Sequence, residues 1–272
     1  MDHARVEFVD DAEDPRIAPF RAVRERDLVG RDGLFIAEGE VVLRLLSRAP
    51  RHRARAVLIA SHRLDSRADL IAAFRPEVRI FAANQAVMDA IVGFPIHRGL
   101  LALGERAEPL DAETLLSSLP ARALVLVASG IGNHDNMGGL FRNAAAFGVD
   151  AVVLDAGCCD PLYRKAIRVS VGAALTMPCA RLEPGADLAD LLARTGFEGL
   201  ALSPGGAMRL TDVRKPDRAA VIVGAEGPGL PADLMARLKT VRIPMAAGID
   251  SLNVAVASAI VLHHLAAAGE AG

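Results

Sequence analysis

The 272-residue chain lacks any apolar run long enough to cross a bilayer, which takes about 20 residues, so a membrane-spanning helix is excluded. Its opening, residues 1–16 (MDHARVEFVDDAEDPR), is acidic and polar and has none of the apolar character of a signal peptide. A cytoplasmic protein with no membrane association is expected. Cysteine is scarce: Cys158, Cys159 and Cys179 are the only three. An odd count with two neighbours argues against a disulfide framework, and reduced thiols in or near the core are expected. No CxxC or HxxxH spacing exists, so no metal site is expected. Net charge is also missing. The balance of 31 basic and 33 acidic residues leaves −2, without the basic excess of a simple nucleic-acid-binding domain. There is no internal repeat, and no low-complexity tract beyond an alanine-rich C-terminus.

What the chain does have is apolar material, 52% of its residues, enough for a sizeable core. Short apolar runs alternate with helical periodicity. In the first part, residues 33–39 read as a strand and turn. Residues 40–47 read as a helix with Val41, Val42, Leu45 and Leu46 on its apolar side. Strands follow at 56–60, 78–82 and 99–103. Helices are expected at 66–74, with Ser66 as N-cap, and at 84–92. This describes an α/β domain over 1–104. A polar linker over 105–121 contains Pro109, Pro120 and a short helical stretch near 112–118.

The second domain, 122–272, opens on the continuous apolar strand 123–128, the kind of run that suits a parallel strand covered on both faces. Further strands are expected at 151–154, 199–202, 220–223 and 241–243. Helices are expected at 136–147, 161–169, 188–194, 231–238 and 251–266. The βαβαβα order predicts an α/β fold with a parallel sheet and helices on both faces.

Three segments place polar or glycine residues where apolar strands meet helices, the junctions at which α/β proteins collect ligands. The first is Asn136-Met137-Gly138-Gly139-Leu140-Phe141-Arg142. Two glycines inside a helix cost about 1 kcal/mol each relative to alanine, so a close backbone approach is expected there. Asn136 suits an N-cap. Arg142 lies about 240° around the helix from Asn136, at roughly 100° per residue, so the two need not serve one pocket within a single chain. The second segment is Gly224-Ala225-Glu226-Gly227-Pro228-Gly229-Leu230, after a buried strand. Such a loop can offer backbone N–H groups to a ligand. It is neither GxGxxG nor a P-loop. Glu226 either caps the following helix or acts in a site. The third is Ile243-Pro244-Met245, a loop, then Ser251-Leu252-Asn253. Ser251 suits a cap of the last helix, and Asn253 suits a backbone bond within its first turn.

In order and spacing these segments resemble the SpoU (TrmH-type) RNA ribose methyltransferases, and the likeness spans nearly the whole chain. The resemblance implies a deep trefoil knot in the C-terminal parallel-sheet domain and a smaller N-terminal α/β domain that binds RNA. In the latter, residues 35–39 (FIAEG) are the most recognisable. It implies S-adenosylmethionine as cofactor, held by main chain around Gly224, Ile243 and Leu252, with Met245 and Ser203 beside it. It implies Asn136, Arg142, Glu226, Ser251 and Asn253 as active-site residues, a homodimer across which Arg142 acts, and no metal. The reaction implied is methyl transfer to a ribose 2′-hydroxyl, in ribosomal RNA ahead of transfer RNA. A knotted nucleobase methyltransferase and an inactive RNA-binding module are the rival readings. The family's arginine is usually followed by threonine or another small residue, whereas Asn143 stands here. Asn133-His134 stands where aspartate-proline is common.

Charge is distributed less evenly than its sum suggests. Arg44, Arg48, Arg51, Arg53 and Arg55 fall close together with His52 and no acid between them. They read either as a solvated helix end and loop or as a patch for RNA phosphates, which guanidinium forks pair well.

Overall fold

The computed structural model describes residues 5–21, 25–30, 32–92 and 99–270. It divides into two compact units: Met1–Glu108 with Pro161–Thr176, and Pro109–Asp160 with Met177–Gly272. No helix among the described residues is long and apolar enough to cross a membrane.

The first unit is a five-stranded mixed sheet. Its strands are β1 (Val6–Val9), β2 (Leu34–Glu38), β3 (Arg53–Ala60), β4 (Arg79–Ala83) and β5 (Leu100–Glu105), in the order β1-β4-β3-β5-β2. β4 runs parallel to β1 and β3, and β5 runs antiparallel to β2 and β3. The two-residue period of the strands sorts their side chains onto two cores. Val57, Ile59, Ile80, Ala82, Leu100 and Ala102 face one; Ala56, Leu58, Phe81, Ala83, Leu101 and Leu103 face the other. Gly104 stands opposite Phe35, and any Cβ there would lie 2.2 Å from the Phe35 ring. The glycine lets that fully buried ring cross the neighbouring strand.

Several sequence expectations are corrected in this unit. The helix Glu40–Ser47 buries Val42, Leu43 and Leu46, while Val41 is exposed. Both apolar sets fit the helical period; the neighbouring elements select the second. The expected helix at 66–74 is one 3₁₀ turn, Asp65–Arg67, followed by a five-residue α-helix, Ala68–Ala72. Ser66 caps nothing, since its hydroxyl donates back to the Arg63 carbonyl. β1 is a strand that the sequence reading did not identify. The helical segment expected to begin at Pro161 starts at Arg164 and packs within the first unit. Leu162, Ile167 and Leu175 join the core around Phe35 and Leu43, and Arg164 Nε donates to the buried Glu38 carboxylate at 3.0 Å.

The second unit is a seven-stranded sheet in which every pairing is parallel. Its strands are β6 (Ala123–Ala128), β7 (Ala151–Leu154), β8 (Cys179–Arg181), β9 (Glu198–Leu202), β10 (Met208–Arg209), β11 (Arg218–Val223) and β12 (Lys239–Arg242), in the order β10-β12-β9-β11-β6-β7-β8. From β6 the chain steps outward through β7 and β8, then resumes on the other side of β6. The strand direction of travel therefore reverses between β6 and β11, and crevices form at the carboxyl ends of such a reversal. The helix Ala112–Ser118 buries Leu115 and Leu116 in this unit's core, together with Leu188, Leu191 and Leu192. All three cysteines are free thiols. Burial pushes the Cys158 thiol up to about 12 and Cys159 up to about 11, so neither is a nucleophile at neutral pH.

Two long helices, His134–Ala146 and Val254–Glu270, pack on one another. The first is capped by Asn133, whose Oδ1 accepts from Asp135 N and Asn136 N, so Asn136 is not the cap that the sequence suggested. Gly148 adopts φ +66 just past the end of this helix. The second helix begins three residues later than expected, at Val254, with Asn253 rather than Ser251 bonding its first-turn N–H groups. The helix expected at 231–238 shortens to Ala232–Met235.

Candidate active site

Three loops leave the carboxyl ends of adjacent parallel strands β9, β11 and β12 and border one cavity of about 620 Å³. The loop after β11 turns back sharply. Gly229 N donates to Ala225 O at 3.0 Å, and Gly227 and Gly229 take φ of +87 and +70, conformations that other residues adopt at a cost. Gly224 has no room for a side chain. A Cβ there would lie 2.5 Å from the Gly229 carbonyl carbon and 2.6 Å from Leu230 N. The residues of this loop, Gly224 to Gly227 and Gly229, thus form one wall of the cavity.

Eight residues singled out in the sequence line this cavity: Ser203, Gly224, Glu226, Ile243, Met245, Ser251, Leu252 and Asn253. They come from segments up to fifty residues apart, brought together by the order of the sheet. Leu202, Pro204, Val223, Asp250, Val254 and Ala257 also line it and were not anticipated. Their only signal was position, since all but Ala257, which lies one turn into the closing helix, fall at or within two residues of a strand end or a recognised motif.

Asn253 links the third motif to the other two. Its Nδ2 donates to Asn136 Oδ1 at 2.8 Å and to Glu226 Oε1 at 3.0 Å. Its Oδ1 accepts from Ala255 N at 2.9 Å and Val256 N at 3.3 Å. Both amide hydrogens and the carbonyl oxygen are therefore engaged, which fixes the side chain's orientation. The two partners keep complementary capacity. The Asn136 amide still has N–H groups to give, and the Glu226 carboxylate has a second oxygen to accept. A hydroxyl, being donor and acceptor at once, suits that pair.

Arg142 does not line the cavity. It is exposed, and among the described residues it makes no hydrogen bond or ion pair. The other face of the same helix is tightly engaged. A Cβ on Gly139 would lie 2.7 Å from Ala255 Cβ, which is the close approach that the paired glycines predicted. Asn143 Nδ2 donates to Ala255 O at 2.6 Å and to Ser258 Oγ at 3.0 Å.

The loop that leads into this helix is held by Asp155. Its carboxylate accepts from Ser129 Oγ at 2.6 Å and from Gly130 N at 2.9 Å. Burial works to raise the Asp155 pKa, but the Gly130 N–H and the Ser129 hydroxyl outweigh it and hold it below the usual carboxylate value.

The arginine run of the first unit divides by partner. Arg44 is paired with Glu40 at 2.8 Å and Asp69 at 2.7 Å. Arg55 is paired with Glu105 at 2.6 Å, and Arg51 donates to the Glu108 carbonyl. Arg48 and Arg53 are exposed and make no hydrogen bond or ion pair among the described residues. Arg51, Arg53, Arg55 and Arg75 line one groove of about 470 Å³.

Residues 123–263 match the model of the SpoU rRNA Methylase family. An uncharacterised tRNA/rRNA methyltransferase of Mycobacterium bovis is 39% identical over 276 residues, covering 97% of this chain and 93% of the relative. The 23S rRNA (guanosine-2′-O-)-methyltransferase RlmB of Salmonella typhimurium is 32% identical, covering 80% of this chain and 91% of the relative. Among solved structures, the SpoU methyltransferase AviRb of Streptomyces viridochromogenes, in complex with AdoMet, superposes with a TM-score of 0.81. It is 19% identical and covers 95% of this chain and 100% of its own.

Proposed function

Because the chain belongs to the SpoU rRNA methylase family, we propose that it transfers a methyl group from S-adenosylmethionine to a ribose 2′-hydroxyl of RNA, ribosomal RNA before transfer RNA. The observation that carries this reading is the Asn136–Asn253–Glu226 network at the rim of a cavity lined by main chain. The cavity fits the cofactor. Gly224, Ile243 and Leu252 offer peptide groups with no competing side-chain polarity, while Leu202, Val223 and Val254 supply apolar walls. Met245 and Ser203 complete the lining. When bound, S-adenosylmethionine supplies an electrophilic methyl group on a sulfonium.

The residues of the chain do the positioning. Asn136 donates to the ribose hydroxyl and Glu226 accepts from it, which turns a lone pair of the hydroxyl toward the cavity. Ser251, exposed at the cavity edge, adds a third polar contact to the ribose. Arg142 stabilises the oxyanion as the hydroxyl proton passes to the Glu226 carboxylate, which already accepts from that hydroxyl; a guanidinium stays protonated at neutral pH and does not serve as the base.

A homodimer belongs to the same reading. Arg142 is exposed and does not line its own chain's cavity, and Val256 and Ile260, which share a face of the closing helix, are 49% and 38% exposed. A second copy that covers this face gives both features a role. The trefoil knot is likewise inferred; it is supported by the return of the chain after β12 to the cavity already bordered by the loops after β9 and β11. A cytoplasmic site of action follows from the substrate.

RNA contact by the first unit rests on Arg48, Arg51, Arg53, Arg55 and Arg44, of which Arg48 and Arg53 make no ion pair among the described residues. Replacing Arg48 and Arg53 by alanine is expected to flatten the plot of log affinity against log salt by about 0.7 for each phosphate that these arginines neutralise. The same change at Arg44, whose charge is already paired twice, is expected to leave the slope nearly unchanged. Slopes equal to that of the wild type for all three variants would remove the patch from the interface.

The function itself is tested with methyl-labelled S-adenosylmethionine and total bacterial RNA, digested to nucleosides. A labelled 2′-O-methylnucleoside in the ribosomal fraction is the expected result. Label in the transfer RNA fraction changes the substrate, label on a base overturns the site chemistry, and cofactor binding without label leaves a binding module.

A further inference from the structure

The residue after Arg142 is a departure from the family pattern, and the structure gives it a specific task. Asn143 reaches the first turn of the closing helix. Its Nδ2 donates to Ala255 O at 2.6 Å and to Ser258 Oγ at 3.0 Å, and Ser258 Oγ in turn donates to Ala255 O at 2.8 Å. Ser258 is fully buried. Ala255 is thus gripped at both ends. Its carbonyl is held by Asn143, and its N–H is held by Asn253 Oδ1 at 2.9 Å. Asn253 then spans Asn136 and Glu226. An unbroken set of hydrogen bonds runs from Asn143 through Ala255 to the three groups at the cavity rim.

We propose that Asn143 is a positioning residue for methyl transfer, holding Asn253 in register with Asn136 and Glu226 by clamping the turn that carries it. The proposal rests on the methyltransferase reading above. Geometry explains why an amide is used. A hydroxyl has one hydrogen to donate, whereas the Asn143 amide gives both of its hydrogens to two acceptors one helical turn apart. Gly139 brings the helices close enough for that reach, since nothing larger fits against Ala255. Asn143 also sits on the helix that carries Asn136 and Arg142, so one clamp fixes that helix against the segment bearing Asn253.

The experiment is a double-mutant cycle on the full chain, read as kcat, as KM for S-adenosylmethionine, and as the side-chain amide signals of asparagine-labelled protein. Asn143→Ala is expected to lower kcat about tenfold, the loss of two hydrogen bonds that hold a reacting geometry, with KM changed less than about threefold. Added to Asn253→Ala, it should lower kcat no further, because its only route to the reaction has gone. Ser258→Ala removes one of the two acceptors and should give a smaller loss of kcat, about threefold; it replaces Asn143→Ala in the cycle should that chain not fold. In the spectrum, the Asn253 amide signals should shift in Asn143→Ala, a readout independent of turnover. Additive losses in the double variant, or an unshifted Asn253 amide, overturn the proposal. A wild-type chain that methylates no RNA overturns the function, and the amide shift still decides whether Asn143 positions Asn253.

Discussion

Gly224→Ala is expected to abolish cofactor binding at micromolar concentrations while the chain stays folded. The added Cβ would stand 2.5, 2.6 and 2.8 Å from Gly229 C, Leu230 N and Gly229 O. All three are backbone atoms, so no side chain can rotate away to make room. The strand behind cannot retreat either, since Val221, Ile222 and Val223 are buried in a strand paired to both β9 and β6. What remains is to open the Ala225–Gly229 turn, and that turn is the cavity wall. Overpacking of this kind costs about 1–3 kcal/mol, and here the cost falls on the bound geometry, which corresponds to a dissociation constant raised by up to about a hundredfold. Titration calorimetry with S-adenosylmethionine measures it, and circular dichroism shows that the sheet survives. Affinity within about threefold of the wild type would mean that the loop's main chain is not what the cofactor contacts. Gly227→Ala, with open space around its Cβ but φ at +87, should give a milder loss through strain alone.

What could be read from the sequence followed from range. β6 and β7 were found at their true bounds because a parallel strand buried on both faces is a continuous apolar run. The helix Leu188–Arg194 was also found at its true bounds, and Asp187 caps it by accepting from Asp190 N. β1 was missed because its four residues, Val-Glu-Phe-Val, expose Phe8 and carry a charge, so the pattern is too short and too mixed. Glu40, four residues before Arg44, was within reach of a local window, but Asp69 and the Glu105 partner of Arg55, at separations of 25 and 50 residues, were not. Two members of the arginine run therefore proved to be neutralised. The segment after Pro161 read correctly as helical, but periodicity carries no information about which sheet a helix covers. Side chains at the cavity were legible through motif resemblance. Their mutual bonds were not, since Asn136 and Asn253 lie 117 residues apart. The resemblance likewise could not show that Asn143 bonds the closing helix, because there the chain leaves the family's pattern.

Arg142→Ala should lower kcat by about a hundredfold to a thousandfold, as loss of one donor to a developing oxyanion does, and leave cofactor affinity unchanged. The second half of that expectation comes from its placement: Arg142 is exposed and borders no part of the cavity. The two halves together require the guanidinium to reach a reaction centre that its own chain does not offer it. A partner copy resolves this. In a two-fold dimer each site would combine Asn136, Glu226 and Asn253 of one chain with the arginine of the other. Mixing then gives a decisive test. Arg142→Ala and Asn253→Ala homodimers are each defective at both sites. In a heterodimer one site receives both lesions and the other receives neither. Co-expressed in equal amounts, the two variants should recover about a quarter of the wild-type rate, because half of randomly paired dimers are mixed and each has one intact site of two. An arginine that serves its own chain gives the opposite arithmetic. Every site in the heterodimer then carries one lesion, and mixing recovers nothing. Recovery therefore reads out both the dimer and the reach of Arg142 across it, and its absence in a chain that still dimerises would return the arginine to its own cavity by a rearrangement of the helix His134–Ala146.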